Sequence, residues 1–198
     1  DPNLARQNPA DYIEGFYISV KRAVNAAKKD PGFSPDKVIG IGVDTTGSTP
    51  IPVDQAGMPI AMQPEFQKEL AAHAWLWKDH TGHAEAAEIT AKAAEHQDHY
   101  LSKCGGTYSS EWFWSKILHC KRSAPKVFAA AYAWVELADF VPAFITGDTN
   151  PQTLRRGVCA AGHKAMYNDL WGGLPSESFL ASLDPDLVKV RQRYAGRA

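Results

Sequence analysis

The chain has 198 residues, 44% of them hydrophobic, which is enough for one substantial core and little more than one domain. Its 21 basic and 22 acidic residues are spread along the sequence for a formal charge of −1. That balance excludes a field that gathers nucleic acid or an acidic membrane surface, and leaves a small neutral or modestly charged molecule as the expected partner.

In chain order, residues 9–29 read as an amphipathic helix that packs on a sheet. Tyr12, Ile13, Phe16, Val20 and Val24 recur every three or four positions, with Asp11 and Glu14 near its start and Lys28 and Lys29 at its end. A polar turn, residues 30–36, leads into Val38, Ile39, Ile41 and Val43, a β-branched series interrupted only by Gly40 and Gly42. This is the pattern of a strand buried on both faces inside an α/β sheet. Ligands of open α/β sheets gather beyond the carboxyl ends of strands, so residues 44–49 (Asp-Thr-Thr-Gly-Ser-Thr) form the first candidate site. Gly47 in it permits close approach of a ligand or a positive φ. Residues 49–61 then read as two short strands joined by Asp54-Gln-Ala-Gly57, with prolines that restrict them to a sheet edge.

The middle of the chain is mostly helical. Residues 84–97 are rich in Ala and Glu, and residues 111–120 form a second helix for which Ser109 or Ser110 is placed as a cap. A further helix spans 127–133, the apolar stretch 135–145 ends at Gly147, and Asp184-Pro-Asp186 is a helix-starting turn. No apolar run approaches the roughly 18 residues of a membrane span, and no signal peptide opens the chain. Cys104, Cys120 and Cys159 are odd in number and unpatterned, which fits free thiols in a reducing cytoplasm.

Three stretches carry chemistry. In residues 74–83, Trp75 and Trp77 give way at once to Lys78, Asp79 and His80. An indole face beside charged groups suits a sugar or polyol, although a core tryptophan followed by solvated charges has the same pattern. His73, His80 and His83 lack the Cys or Glu that completes a metal-ligand spacing. In residues 105–119, Tyr108 and Glu111 sit at a loop-to-helix junction where polar side chains can face a pocket, whereas Trp112, Phe113 and Trp114 read as core. In residues 154–167, Lys164 follows small residues that permit close approach and can donate to a ligand oxygen, or can be an ordinary surface lysine.

Several motifs together resemble the FGGY carbohydrate kinases, and among them the L-ribulokinases. They are Gly42-Val-Asp-Thr-Thr-Gly-Ser-Thr-Pro50, Leu76-Trp-Lys-Asp-His-Thr81, Tyr108-Ser-Ser-Glu-Trp-Phe-Trp114 with Lys116-Ile-Leu118, and Ala161-Gly-His-Lys164 with Trp171-Gly-Gly-Leu-Pro175. Their order and spacing agree over essentially the whole chain. Asp139 to Gly147 is also similar to a family segment, with Ile145 in place of a leucine.

The resemblance implies an α/β, actin-like and ribonuclease-H-like fold whose two lobes close on sugar and ATP. It also implies transfer of the ATP γ-phosphate to the 5-hydroxyl of L-ribulose, as in arabinose breakdown. By the same resemblance, Gly47 is a backbone contact to the sugar, Trp77 the ring on which it lies, and Lys164 a donor to a sugar oxygen, while Asp79, Tyr108 and Glu111 stand near the pocket. Asp44-Thr-Thr-Gly47 also looks like the first phosphate loop of actin-like ATPases. Here the glycine stands three positions after the aspartate rather than two, and a long helix precedes the strand, so the sugar side is the better assignment.

The expectation is therefore that residues 1–198 are part of the N-terminal, sugar-binding lobe, lacking the first phosphate loop and the C-terminal ATP lobe. ATP and Mg2+ would belong to the full-length parent and not to this segment, and the catalytic base would lie beyond residue 198, so the segment alone would be inactive. The expected partner is a pentulose, with no nucleic acid and no membrane, and a homodimer is left open. A kinase for D-ribulose or xylulose, and a non-catalytic sugar-binding module, are the alternatives.

Overall fold

The computed structural model describes residues 1–194, apart from the side chain of His163. Short strands and helices alternate as β1 (Arg6–Gln7), α1 (Pro9–Ala27), β2 (Pro50–Val53), β3 (Ala74–Trp75), α2 (His83–Ala94), α3 (Phe113–Ser123), α4 (Pro125–Ala130) and β4 (Ala133–Glu136). Helices α5 (Leu137–Thr146), α6 (Val158–Lys164), α7 (Glu177–Leu183) and α8 (Asp186–Arg193) follow. The strands form two antiparallel pairs. β1 lies against β3 with Arg6 opposite Trp75, and β2 lies against β4 with Ile51 opposite Val135 and Pro52 opposite Trp134.

The buried strand expected at residues 38–43 is not formed. The segment is irregular and exposed, and Ile39 is 99% exposed. A strand apolar on both faces is stable only where neighbours take its backbone hydrogen bonds and cover its side chains, and among the described residues no strand pairs with this one. Helix α1 stands where expected, opened by Pro9 and by Asn8, whose side chain accepts from the Ala10 amide at 3.1 Å. Its Tyr12 and Ile13 pack on the apolar cluster formed by β2, β4 and α5, and with Phe16 they meet Phe140, Val141 and Phe144 of α5, while Val20 stays exposed.

The hairpin expected over 49–61 is half present. β2 turns through residues 54–57, where Gly57 adopts φ +79° and a Cβ would lie 1.7 Å from the Thr149 carbonyl oxygen. The return strand shrinks to a single bridge between Val53 and Pro59, since Pro59 has no N–H for the ladder, and β2 finds its partner instead in β4. The helix expected over 127–133 comes earlier, as α4, because residues 133–136 are drawn into that strand.

Two apolar clusters result. The larger joins Trp75, Ile89, Phe113, Trp114, Ile117, Leu118, Trp134 and Leu180, so the aromatics of 112–114 do fill the core. The smaller joins Ile51, Val53, Val135 and Phe140. Helix α7 begins with Ser176, whose Oγ accepts the Phe179 amide at 3.2 Å. Ser176→Ala is expected to destabilise the chain by about 1 kcal/mol, seen as a lower urea midpoint with unchanged slope.

Candidate functional site

Trp77 occupies a turn that the N-terminal residues hold in place. The Leu76 amide donates to the Ala5 carbonyl (3.1 Å), the His80 amide to the Asn3 carbonyl (2.9 Å), and the Asp79 amide closes the turn onto the Leu76 carbonyl (2.9 Å). This geometry lifts Trp77 and Lys78 into solvent, and Trp77 is 47% exposed while four of the other tryptophans are buried. Asp79 points the opposite way. It is fully buried, ion-paired with Arg6, and accepts from the Ala5 amide (2.7 Å) and from Thr81 Oγ1 (2.5 Å). With its oxygens spent inside the protein it is an anchor of the turn, not a group that meets a ligand.

The Asp44–Thr49 loop approaches from the other side. Gly47 lies against Lys164, so close that a Cβ would stand 3.5 Å from Lys164 Cε. Gly47 thus serves close approach, whereas positive φ falls on the next residue, Ser48, at φ +67°. A buried non-glycine residue in the left-handed region stores strain, which the surroundings must hold in place. They do so from two sides. The Thr49 amide donates to Glu136 Oε2 at 2.7 Å, and the Ser48 carbonyl accepts from Lys116 Nζ at 2.6 Å.

Lys164 ends α6, half-buried, with Nζ 5.6 Å from the centre of the Trp112 ring. Tyr108 lies beneath it. Its hydroxyl donates to the Lys164 carbonyl (2.5 Å) and accepts from the Trp114 amide (3.0 Å), and burial pushes its pKa well above the ordinary phenol value. Tyr108 therefore ties α6 to the first turn of α3, in place of the serine cap expected there. Ser109 instead accepts the Glu111 amide within the preceding loop. Glu111 is half-exposed, with Oε1 3.8 Å from His80 Nε2, and His80 Nδ1 lies 3.0 Å from Ser110 Oγ.

The fold thus brings Gly47, Lys164 and Tyr108 into contact, Lys116 bonds the carbonyls next to Gly47 and Trp77, and Glu111 stands beside His80. Gly47, Trp77, Lys164 and Glu111 present atoms outward, and Asp79 and Tyr108 support from below. A backbone loop, an indole face and an ammonium together suit a small polyhydroxylated molecule, with C–H groups against the ring and oxygens toward the donors. A cavity of about 520 Å3 beside Phe66, Glu69 and Val127 shares no residue with this cluster. Among the described residues no three His, Cys, Asp or Glu side chains could hold a metal ion, and Asp44 stands exposed. No helix among them is long and apolar enough to cross a membrane.

Sequence reasoning missed two residues of this cluster, Lys116 and Glu136. Both are buried and charged. Their signal was present, since each interrupts an apolar run, Phe113 to Leu118 and Ala133 to Leu137. Burial pulls the Lys116 ammonium down and pushes the Glu136 carboxyl up, and each charge opposes the shift of the other. The carbonyls of Ser48, Leu76 (2.8 Å) and Trp75 (3.4 Å) surround Nζ with three acceptors, which suits the charged form.

The chain is 43% identical over 190 residues to the ribulokinase of Vibrio parahaemolyticus serotype O3:K6, covering 95% of this chain and 33% of that protein. It is 38% identical over 192 residues to the ribulokinase of Shouchella clausii, covering 96% and 32%. The chain therefore spans about one third of the length of the curated relatives it matches. Among solved structures, it is similar in fold to a xyloylose kinase from Brucella ovis, with a TM-score of 0.66 and 18% identity over 93% of this chain and 33% of the other. It is also similar to the xylulose kinase from Bifidobacterium adolescentis, with a TM-score of 0.59 and 15% identity over 81% and 35%. No family model matches the chain.

Proposed function

Since this chain is a segment belonging to the FGGY carbohydrate kinases, with their actin-like fold, we propose that it supplies the sugar-binding face of an ATP-dependent pentulose kinase acting on the 5-hydroxyl of L-ribulose. The observation that carries this reading is the meeting of the Gly47 loop with Lys164, together with Lys116, which bonds both the carbonyl after Gly47 and the carbonyl before the exposed Trp77. In this reading the Trp77 indole receives the apolar face of the sugar, Lys164 donates to a sugar oxygen, and Gly47 lets the chain come against it without a side chain intervening. Glu111 borders the opening.

Among the described residues no group of three His, Cys, Asp or Glu side chains could hold a metal ion, Asp44 is exposed and Asp79 is ion-paired with Arg6. The reading therefore assigns ATP, Mg2+ and the base that deprotonates the attacking hydroxyl to parts of the parent protein outside these residues, and assigns the segment, as the sugar-binding part of the N-terminal lobe, no turnover of its own. The curated relatives are named ribulokinases, which supports ribulose over xylulose.

The test is a tryptophan-fluorescence titration of the chain and of the full-length protein with L-ribulose, D-ribulose, D-xylulose and glycerol. A saturable change with L-ribulose is expected, and Trp77→Ala is expected to remove most of the signal and weaken binding about tenfold, as loss of one aromatic contact does. A full-length protein that responds to no pentulose, or that binds equally well after Trp77→Ala, overturns the assignment.

A further inference from the structure

We propose that Lys116 is a positioning residue of the sugar site, its buried ammonium drawing together the carbonyl that follows Gly47 and the carbonyl that precedes Trp77 so that loop and ring keep a fixed spacing. This inference rests on the sugar-site reading above and adds to it the group that sets the geometry of the pocket.

The two contacts are specific to the pocket. Ser48 follows Gly47 and Leu76 precedes Trp77, and one side chain reaches both oxygens, at 2.6 and 2.8 Å. Lys116 is completely buried on α3, so it does not touch the sugar itself. Its presence is costly: a charge taken out of water loses several kcal/mol, and apolar replacement of a buried ion pair is often neutral or stabilising. The charges around it come from four directions, Glu136 of β4, Arg6 of β1, Glu111 before α3, and Lys164 of α6. Glu136 grips the same loop from the opposite side through the Thr49 amide, and the Leu137 amide donates back to the Thr49 carbonyl at 2.9 Å. The strained Ser48 is thereby held between a cation and an anion. A core residue whose two shortest hydrogen bonds go to the backbone flanking Gly47 and Trp77, with a longer third one to the Trp75 carbonyl, is placed to set geometry. Apolar packing alone would serve stability better.

The test uses the full-length protein with Lys116→Met and with Lys116→Met/Glu136→Gln, measuring the L-ribulose Kd by calorimetry and the melting temperature of each. The single variant leaves Glu136 as an uncompensated buried carboxyl, so it is expected to lose stability. The double variant removes that carboxylate while a glutamine oxygen still accepts from Thr49, and is expected to regain most of the stability. The sugar Kd is expected to rise about 10- to 100-fold in the double variant, as it does when a binding group is displaced by a fraction of an ångström to an ångström. If affinity returns together with stability, Lys116 is structural only and the inference fails while the sugar site stands. If the unaltered protein binds no pentulose, the site reading fails first and the inference with it.

Discussion

Asp79→Ala is expected to lower the melting temperature of this chain by on the order of 10 °C, from a loss of about 3–5 kcal/mol. Arg6 and Asp79 are both buried, with side-chain exposures of 5% and 0%, and the guanidinium lies 3.3 Å above the centre of the Trp75 ring. Burial already pulls the Arg6 pKa down to about 9, which leaves it charged at neutral pH. Removing the carboxylate strands that charge in the core and frees the Ala5 amide and Thr81 hydroxyl that Asp79 accepts from. Asp79→Asn, which keeps one acceptor oxygen, for the Ala5 amide or for Thr81 but not for both, is expected to cost less. The surface pair Lys121–Asp186 is the contrast: its partners are about 30% exposed, and breaking it is expected to cost under about 1 kcal/mol. Circular-dichroism melts of the three variants decide the matter, and a shift below about 2 °C for Asp79→Ala is incompatible with a buried pair that anchors the Trp77 turn.

Lys164→Met is expected to weaken L-ribulose binding about 10- to 100-fold, the worth of one hydrogen bond from a charged donor, with little change in melting temperature. Lys164 is half-buried, and the links between α6 and the core run mainly through the Lys164 carbonyl and small residues, with Nζ adding only a 5.6 Å approach to the Trp112 ring. Because the sugar is neutral, the loss is expected to be the same at low and high salt. A salt-dependent loss points to a long-range field instead of contact. Calorimetry on the full-length protein at two ionic strengths makes the measurement, and an unchanged Kd removes Lys164 from the set of ligand-facing residues.

The comparison between sequence and structure is uneven in an instructive way. Helix α1, helix α8 and the end of α5 at Gly147 were legible because their signals are local: a cap, a proline, an apolar stripe, a glycine that accepts positive φ. Residues 38–43 were misread because strand formation is not local. Their composition asks for neighbours on both sides, and composition alone does not supply them. The same holds for β4, whose pairing with β2 rests on residues some eighty positions away. Within the site, residue identities could be read but directions could not. Nothing in the sequence separates Asp79, turned inward to Arg6, from Lys78 beside it, which faces solvent. Lys116, which the sequence shows only within a family motif, and Glu136 carry a different signal from charges next to loops: they stand inside apolar runs, where charges seldom do.

The clamp on Ser48 also bears on when the site can exist. Lys116 stands 68 positions after Ser48 and Glu136 stands 87 after Thr49, while the Lys164 that meets Gly47 comes later still. A ribosome synthesises the loop and Trp77 long before the groups that hold them, and closing such long loops is slow and entropically opposed until the distant partners arrive. A growing chain therefore carries the Gly47 loop and Trp77 before the groups that hold them, and Gly47 meets Lys164 only after α6 has emerged and folded back onto the loop.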